Sequence, residues 1–161
     1  MERLLTGIDW IMDKVTLLIL ILLNLIVGLQ VFSRYMLNHS LFWSEELARY
    51  LFIWLVFLSA AIVLRREGHI QVSFFVERLA LGLRRAIVVL VDLLLLWFTA
   101  TILVQSIRLA SMVWTVLTAA MEIPWTLVYL GIVLGMTAMV LVMLGALWRH
   151  VTVQSEENRP W

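Results

Sequence analysis

Four long runs with almost no charge constrain this chain more than any other feature. The first, Val15 to Ser33, places 19 uncharged residues between Lys14 and Arg34. The second covers residues 47–64 and is free of charge from Tyr50 onward. The third, 86–107, carries only Asp92, and the fourth, 123–148, has no charge in 26 residues. Crossing about 30 Å of hydrocarbon takes about 20 mostly apolar residues in a helix. Each run therefore fits one crossing, the fourth with some tilt. The expected fold is an all-α integral membrane protein, a single four-helix transmembrane domain over residues 1–161. No soluble domain and no Pro/Gly-rich linker interrupts the runs.

Composition rules out the alternatives. The chain is 63% hydrophobic and 14% charged, where soluble domains average about 45–50% and about 25%. A soluble fold of this size has too much surface for its volume to hide that excess. Lipid is the solvent, and membrane lipids are the first partner. A net charge of +1 without a basic run gives nucleic acid nothing to bind. Cysteine is absent, which excludes disulfides and thiolate metal sites. The first run exceeds a signal-peptide core and follows Glu2, Asp9 and Asp13, and no small-x-small site comes after it. It reads as a retained span.

Lys and Arg placement sets the orientation. Nine of the 12 fall on the side shared by the N-terminus, the connection between spans two and three, and the C-terminus: Arg3, Lys14, Arg65, Arg66, Arg78, Arg84, Arg85, Arg149 and Arg159. Only Arg34, Arg49 and Arg108 fall on the other. Both termini are expected in the cytoplasm, with Trp10, Trp43, Trp125 and Trp148 near span ends as an aromatic belt. Two connections look amphipathic. From Gln71 to Arg85 apolar residues recur at helical spacing, as in a helix lying in the cytoplasmic interface. From Arg108 to Glu122, residues Arg108, Ser111, Thr115, Thr118 and Glu122 would share one helical stripe. Span three plus this segment would reach about 54 Å as one helix, too long for one crossing. A break near Arg108 is expected, with extension into the periplasm as the alternative.

The densest polar cluster opens span two, in Trp43-Ser44-Glu45-Glu46-Leu47-Ala48-Arg49-Tyr50. Glu45 and Glu46 stand four and three residues before Arg49, so either acid can meet the guanidinium on one face. An interfacial salt bridge that fixes the helix or docks a partner is the preferred reading, and an ion or proton site the sharper one. Asp92 reads either as a relay carboxylate or as a group facing cytoplasmic water, Arg85 or a neighbouring subunit. Asn24, Gln30, Thr99 and Gln105 suit interhelical hydrogen bonds. Gly131 and Gly135 form a GxxxG pair that admits a close neighbouring helix, and Pro124 opens span four without loss. His39, His69 and His150 fall at or beyond span ends, where they cannot face one another as haem ligands. No nucleophile–base pair, metal cluster or phosphate loop stands out, so no enzyme activity and no cofactor is expected.

The series Arg34-Tyr35, Trp43 to Tyr50, Trp54, and Arg65-Arg66-Glu67-Gly68-His69-Ile70-Gln71-Val72 resembles the small membrane subunit of tripartite ATP-independent periplasmic (TRAP) transporters, the DctQ family. The likeness is strong over about Asn24 to Leu79 and looser at Ile123-Pro124-Trp125. It implies four spans in the bacterial inner membrane with both ends in the cytoplasm. It also implies a sodium-coupled importer of organic acids such as dicarboxylates, keto acids or sialic acids. In that family a periplasmic binding protein delivers substrate, and a large permease carries the substrate and sodium sites. The small subunit resembles a stator, so sodium coupling falls to the partner. Trp43, Glu45, Glu46, Arg49 and Trp54 become candidates for the subunit interface at the periplasmic face. Arg65, Arg66 and His69 are candidates at the cytoplasmic edge. A self-sufficient homodimeric transporter using Glu46 or Asp92 as coupling carboxylate is the alternative.

Overall fold

The computed structural model describes residues 2–39, 41–67 and 81–157. It comprises four helices, α1 (Glu2–Met36), α2 (Phe42–Glu67), α3 (Leu81–Met112) and α4 (Thr126–Glu157). All four contain a stretch long and apolar enough to cross a membrane: Trp10–Met36, Phe42–Arg66, Ala86–Met112 and Thr126–Leu147. The chain is a multi-pass membrane protein. His69 lies outside the described residues, as does the 71–80 part of the interfacial helix expected over Gln71–Arg85. Residues 81–85 of that stretch open α3 instead.

Local sequence explains where the helices stop. Asn38 adopts a left-handed backbone, φ 52°, which an Asn tolerates better than most residues. The chain leaves α1 there: the amides of Leu37 and His39 both reach the Ser33 carbonyl at 3.2 Å. The Ser33 hydroxyl donates to the His39 carbonyl at 2.7 Å, tying the short connection to α2. Helix α3 runs one turn past Arg108 to Met112, so the break expected near Arg108 comes about four residues later. Residues 113–125 then form an irregular hairpin closed by a bridge between Leu117 and Pro124. The supposed stripe from Arg108 to Glu122 therefore does not exist as one helical face. Its polar residues beyond Met112 sit on a backbone that turns back, and Glu122 marks the turn with φ 53°.

The helices form a row in the order α1, α2, α4, α3, and among the described residues no substantial contact closes the row into a ring. Burial follows that order. In the most apolar stretch of central α4, 33% of residues are buried, against 6% in edge helix α1. Apolar surface alone does not drive helices together in lipid, so close packing and hydrogen bonds must. Small residues supply the closeness between α2 and α4. A Cβ added at Gly131 would fall 2.5 Å from the Trp54 ring, and one at Gly135 would fall 2.6 Å from the Phe57 carbonyl. The GxxxG pair thus serves a contact within the chain. Beyond it, Ala61, Met136 and Met139 make a buried cluster with Phe57, Ala60, Ile102 and Leu103 packed around it.

Candidate functional site

Helices α1 and α3 end, and α2 and α4 begin, at one end of the row, where both short connections lie. The polar cluster of α2 gathers there. Glu46, four residues into α2, is half-buried and faces the hairpin rather than Arg49. One carboxylate oxygen, Oε2, accepts the backbone N–H groups of Ala120 at 2.7 Å and Met121 at 2.9 Å. The other, Oε1, accepts the hydroxyl of Tyr50, one turn along the same helix. Tyr50 is 5% exposed and sets its ring edge-on to Trp125, with centroids 5.8 Å apart.

Part of the remaining hairpin backbone bonds within the hairpin, as suits irregular backbone near hydrocarbon. Thr118 N–H donates to the Ile123 carbonyl at 2.9 Å, and Ile123 N–H to the Thr118 hydroxyl at 3.2 Å. Trp125 N–H donates to Val116 at 3.0 Å. At its base the buried Thr126 hydroxyl donates to the Ala110 carbonyl at 2.8 Å, joining the start of α4 to the last turns of α3. A carboxylate that holds a loop by two amides, steadied by a phenol on its own helix, acts as a clamp. Charge-assisted bonds of this kind are roughly twice as strong as neutral ones.

The other sequence candidates take separate places. Glu45 accepts from Gln30 Nε2 at 2.9 Å, which links α2 to α1. Arg49 is exposed, and among the described residues it forms no ion pair with either acid. The expected Glu–Arg pair fails because both acids have partners on other elements, which helical spacing cannot reveal. Trp43 is 40% exposed at the start of α2. Trp54 donates from Nε1 to the Leu127 carbonyl at 3.1 Å, beside the Gly131 notch. At the opposite end of the row, exposed Arg66 pairs with Asp13 of α1, and Arg65 is half-buried beside it. Asp92 is 0% exposed within the chain itself, so it does not face cytoplasmic water. On the same helix Thr99 and Ser106 follow it at intervals of seven, both buried. Among the described residues no group of three or more His, Asp or Glu gathers as metal ligands.

Sequence reasoning missed Tyr50, Asp13 and the hairpin amides as parts of these contacts. Tyr50 was within reach, since it stands four residues after Glu46. Backbone amides carry no sequence signature.

Comparison with known proteins then decides the family. Residues 23–153 match the family described as tripartite ATP-independent periplasmic transporters, DctQ component. The chain belongs to that family. It is also similar to the sialic acid TRAP transporter small permease protein SiaQ of Vibrio cholerae, 30% identical over 97 residues, or 60% of this chain and 56% of that one. The isethionate TRAP transporter permease protein DctMQ of Oleidesulfovibrio alaskensis is 31% identical over 90 residues, 55% of this chain but 14% of that protein. The chain thus spans about half of one curated relative and a small part of the other. DctQ proteins are transport components, not enzymes. The clamp and the glycine contact are features of a DctQ chain that builds its own helix row.

Proposed function

We propose that this DctQ chain is the immobile scaffold subunit of a sodium-coupled importer of organic acids in a bacterial inner membrane. It braces a large permease that carries the substrate and sodium sites, and a periplasmic binding protein feeds the pair. Both termini lie in the cytoplasm, so the Glu46-clamped hairpin faces the periplasm. There the exposed Met112 and Trp114 are available to the binding protein. The family match over residues 23–153 carries this reading. The names of the relatives, one for sialic acid and one for isethionate, support an organic acid as cargo.

The geometry of Glu46 supports a scaffold over a self-sufficient carrier. Both of its oxygens hold the hairpin and Tyr50, so using it as a coupling carboxylate would release the loop at every cycle. The test is uptake into vesicles holding the large permease, with binding protein and substrate outside and an inward sodium gradient. Adding this chain should raise initial uptake at least tenfold. Full uptake without it would defeat the proposal, as would transport by this chain alone.

A further inference from the structure

The row has two edges, and they differ in chemistry. On α1, buried Ile19 and Ser33 and the Gln30–Glu45 bond mark the side that meets α2. At about 100° per residue, Asn24 lies about 140° around the helix from Ile19, and Gly28 about 180°. Both are exposed, and a Cβ added at Gly28 would meet nothing within 4 Å. Within the span Trp10–Met36, Asn24 lies 14 residues from one end and 12 from the other. That places it about 18–21 Å from either end, near the midplane of a hydrocarbon core about 30 Å thick. A side chain this short cannot reach the interface.

Asn24 Nδ2 donates one hydrogen bond to the Leu20 carbonyl at 2.8 Å. Hydroxyls elsewhere in the spans satisfy their single donor in the same way, as Thr101 does on Trp97 and Thr137 on Val133. An amide has a second N–H and a carbonyl still to satisfy, and lipid tails offer nothing. Large apolar groups line both edges, Leu17, Leu20 and Val31 on α1 and Trp97, Phe98 and Leu94 on α3, but among the described residues the α3 edge carries no exposed amide near mid-span. Its exposed Gln105 is only seven residues from the span end at Met112, about 10 Å, where a longer side chain reaches polar surroundings.

We propose that the Asn24–Gly28 face of α1 receives a transmembrane helix of the large permease, Gly28 admitting its backbone and Asn24 bonding a polar group on it. This rests on the scaffold reading above. A different chain is favoured over a second copy by the Oleidesulfovibrio relative, where the matched stretch is 14% of one permease polypeptide. The remaining 86% is then tethered beside it in that protein.

The test uses the full chain and the co-expressed large permease of the same importer, purified in detergent micelles. Asn24→Leu and Gly28→Leu should each raise the dissociation constant of the complex at least tenfold, and Asn24→Gln should stay within threefold of wild type. Trp97→Leu, on the other edge, should change nothing. Because the chain has no cysteine, single cysteines at 24, 28 and 97 carrying a benzophenone report neighbours directly. Positions 24 and 28 should cross-link to the permease, and 97 should not. Wild-type association with unchanged binding by Asn24→Leu and Gly28→Leu would overturn this inference and leave the scaffold reading standing. So would cross-links from 24 and 28 to lipid or a second copy only. Failure of the wild-type chain to bind the permease would sink the scaffold reading itself, and this inference with it.

Discussion

Glu46 shows how one side chain can fix a loop 75 residues away. Glu46→Leu keeps roughly the size of the side chain but removes both acceptor oxygens, so it can serve neither Tyr50 nor the two amides. Losing a hydrogen bond to a charged group costs about 1.5–3 kcal/mol. Amide hydrogen exchange at Ala120 and Met121 should therefore quicken about tenfold or more in that variant, since tenfold corresponds to about 1.4 kcal/mol. Tyr50→Phe removes only the phenol bond and should leave those two amides protected. Unchanged exchange in Glu46→Leu would refute the clamp. Sequence spacing made Glu46 a candidate but assigned it the wrong partner. The i+3 and i+4 rule names who can meet on one helix, and Arg49 qualified. It is silent about competitors on another element, here two backbone amides, and for Glu45 the Gln30 side chain of α1.

Between elements, the contact of α2 with α4 depends on two missing side chains. Gly131 lies against the Trp54 ring, whose rotamer has some freedom, whereas Gly135 lies against the Phe57 backbone, which has none. Gly135→Ala should therefore destabilise more than Gly131→Ala, within the range of about 1–3 kcal/mol typical of overpacking. Thermal unfolding in one detergent checks the order. Combining Gly131→Ala with Trp54→Ala should cost less than the sum of the two single changes, because they share one contact. Equal losses for both alanines would show that the helices simply separate. The spacing Gly131-xxx-Gly135 revealed a close approach, though not that its partner lay within the same chain. The third helix was legible in its apolar run but not at its end. Excess length called for a break near Arg108, yet an arginine has high helix propensity and tolerates the last turns of a helix at a membrane surface. The turn comes only after Met112, with the hairpin and its left-handed Glu122.

For the whole molecule, the row order α1, α2, α4, α3 was not legible, because apolar runs specify crossings and not neighbours. Orientation is the reverse case: the sequence addresses it directly through nine cationic residues on one side against three on the other. The rule works because basic residues near a span resist transfer across the inner membrane during insertion. The structure adds two places that probe it cleanly, Ala120 at the exposed tip of the clamped hairpin and Ser155 near the end of α4. With no native cysteine to interfere, Ala120→Cys should react with a thiol reagent that enters the periplasm but cannot cross the inner membrane. Ser155→Cys should react only after that membrane is permeabilised. Ala120 contributes its backbone amide to Glu46, so the substitution leaves the clamp in place. The reversed labelling pattern would put the hairpin in the cytoplasm, out of reach of any periplasmic binding protein, and would remove docking from the proposed role while leaving the helix row unaffected.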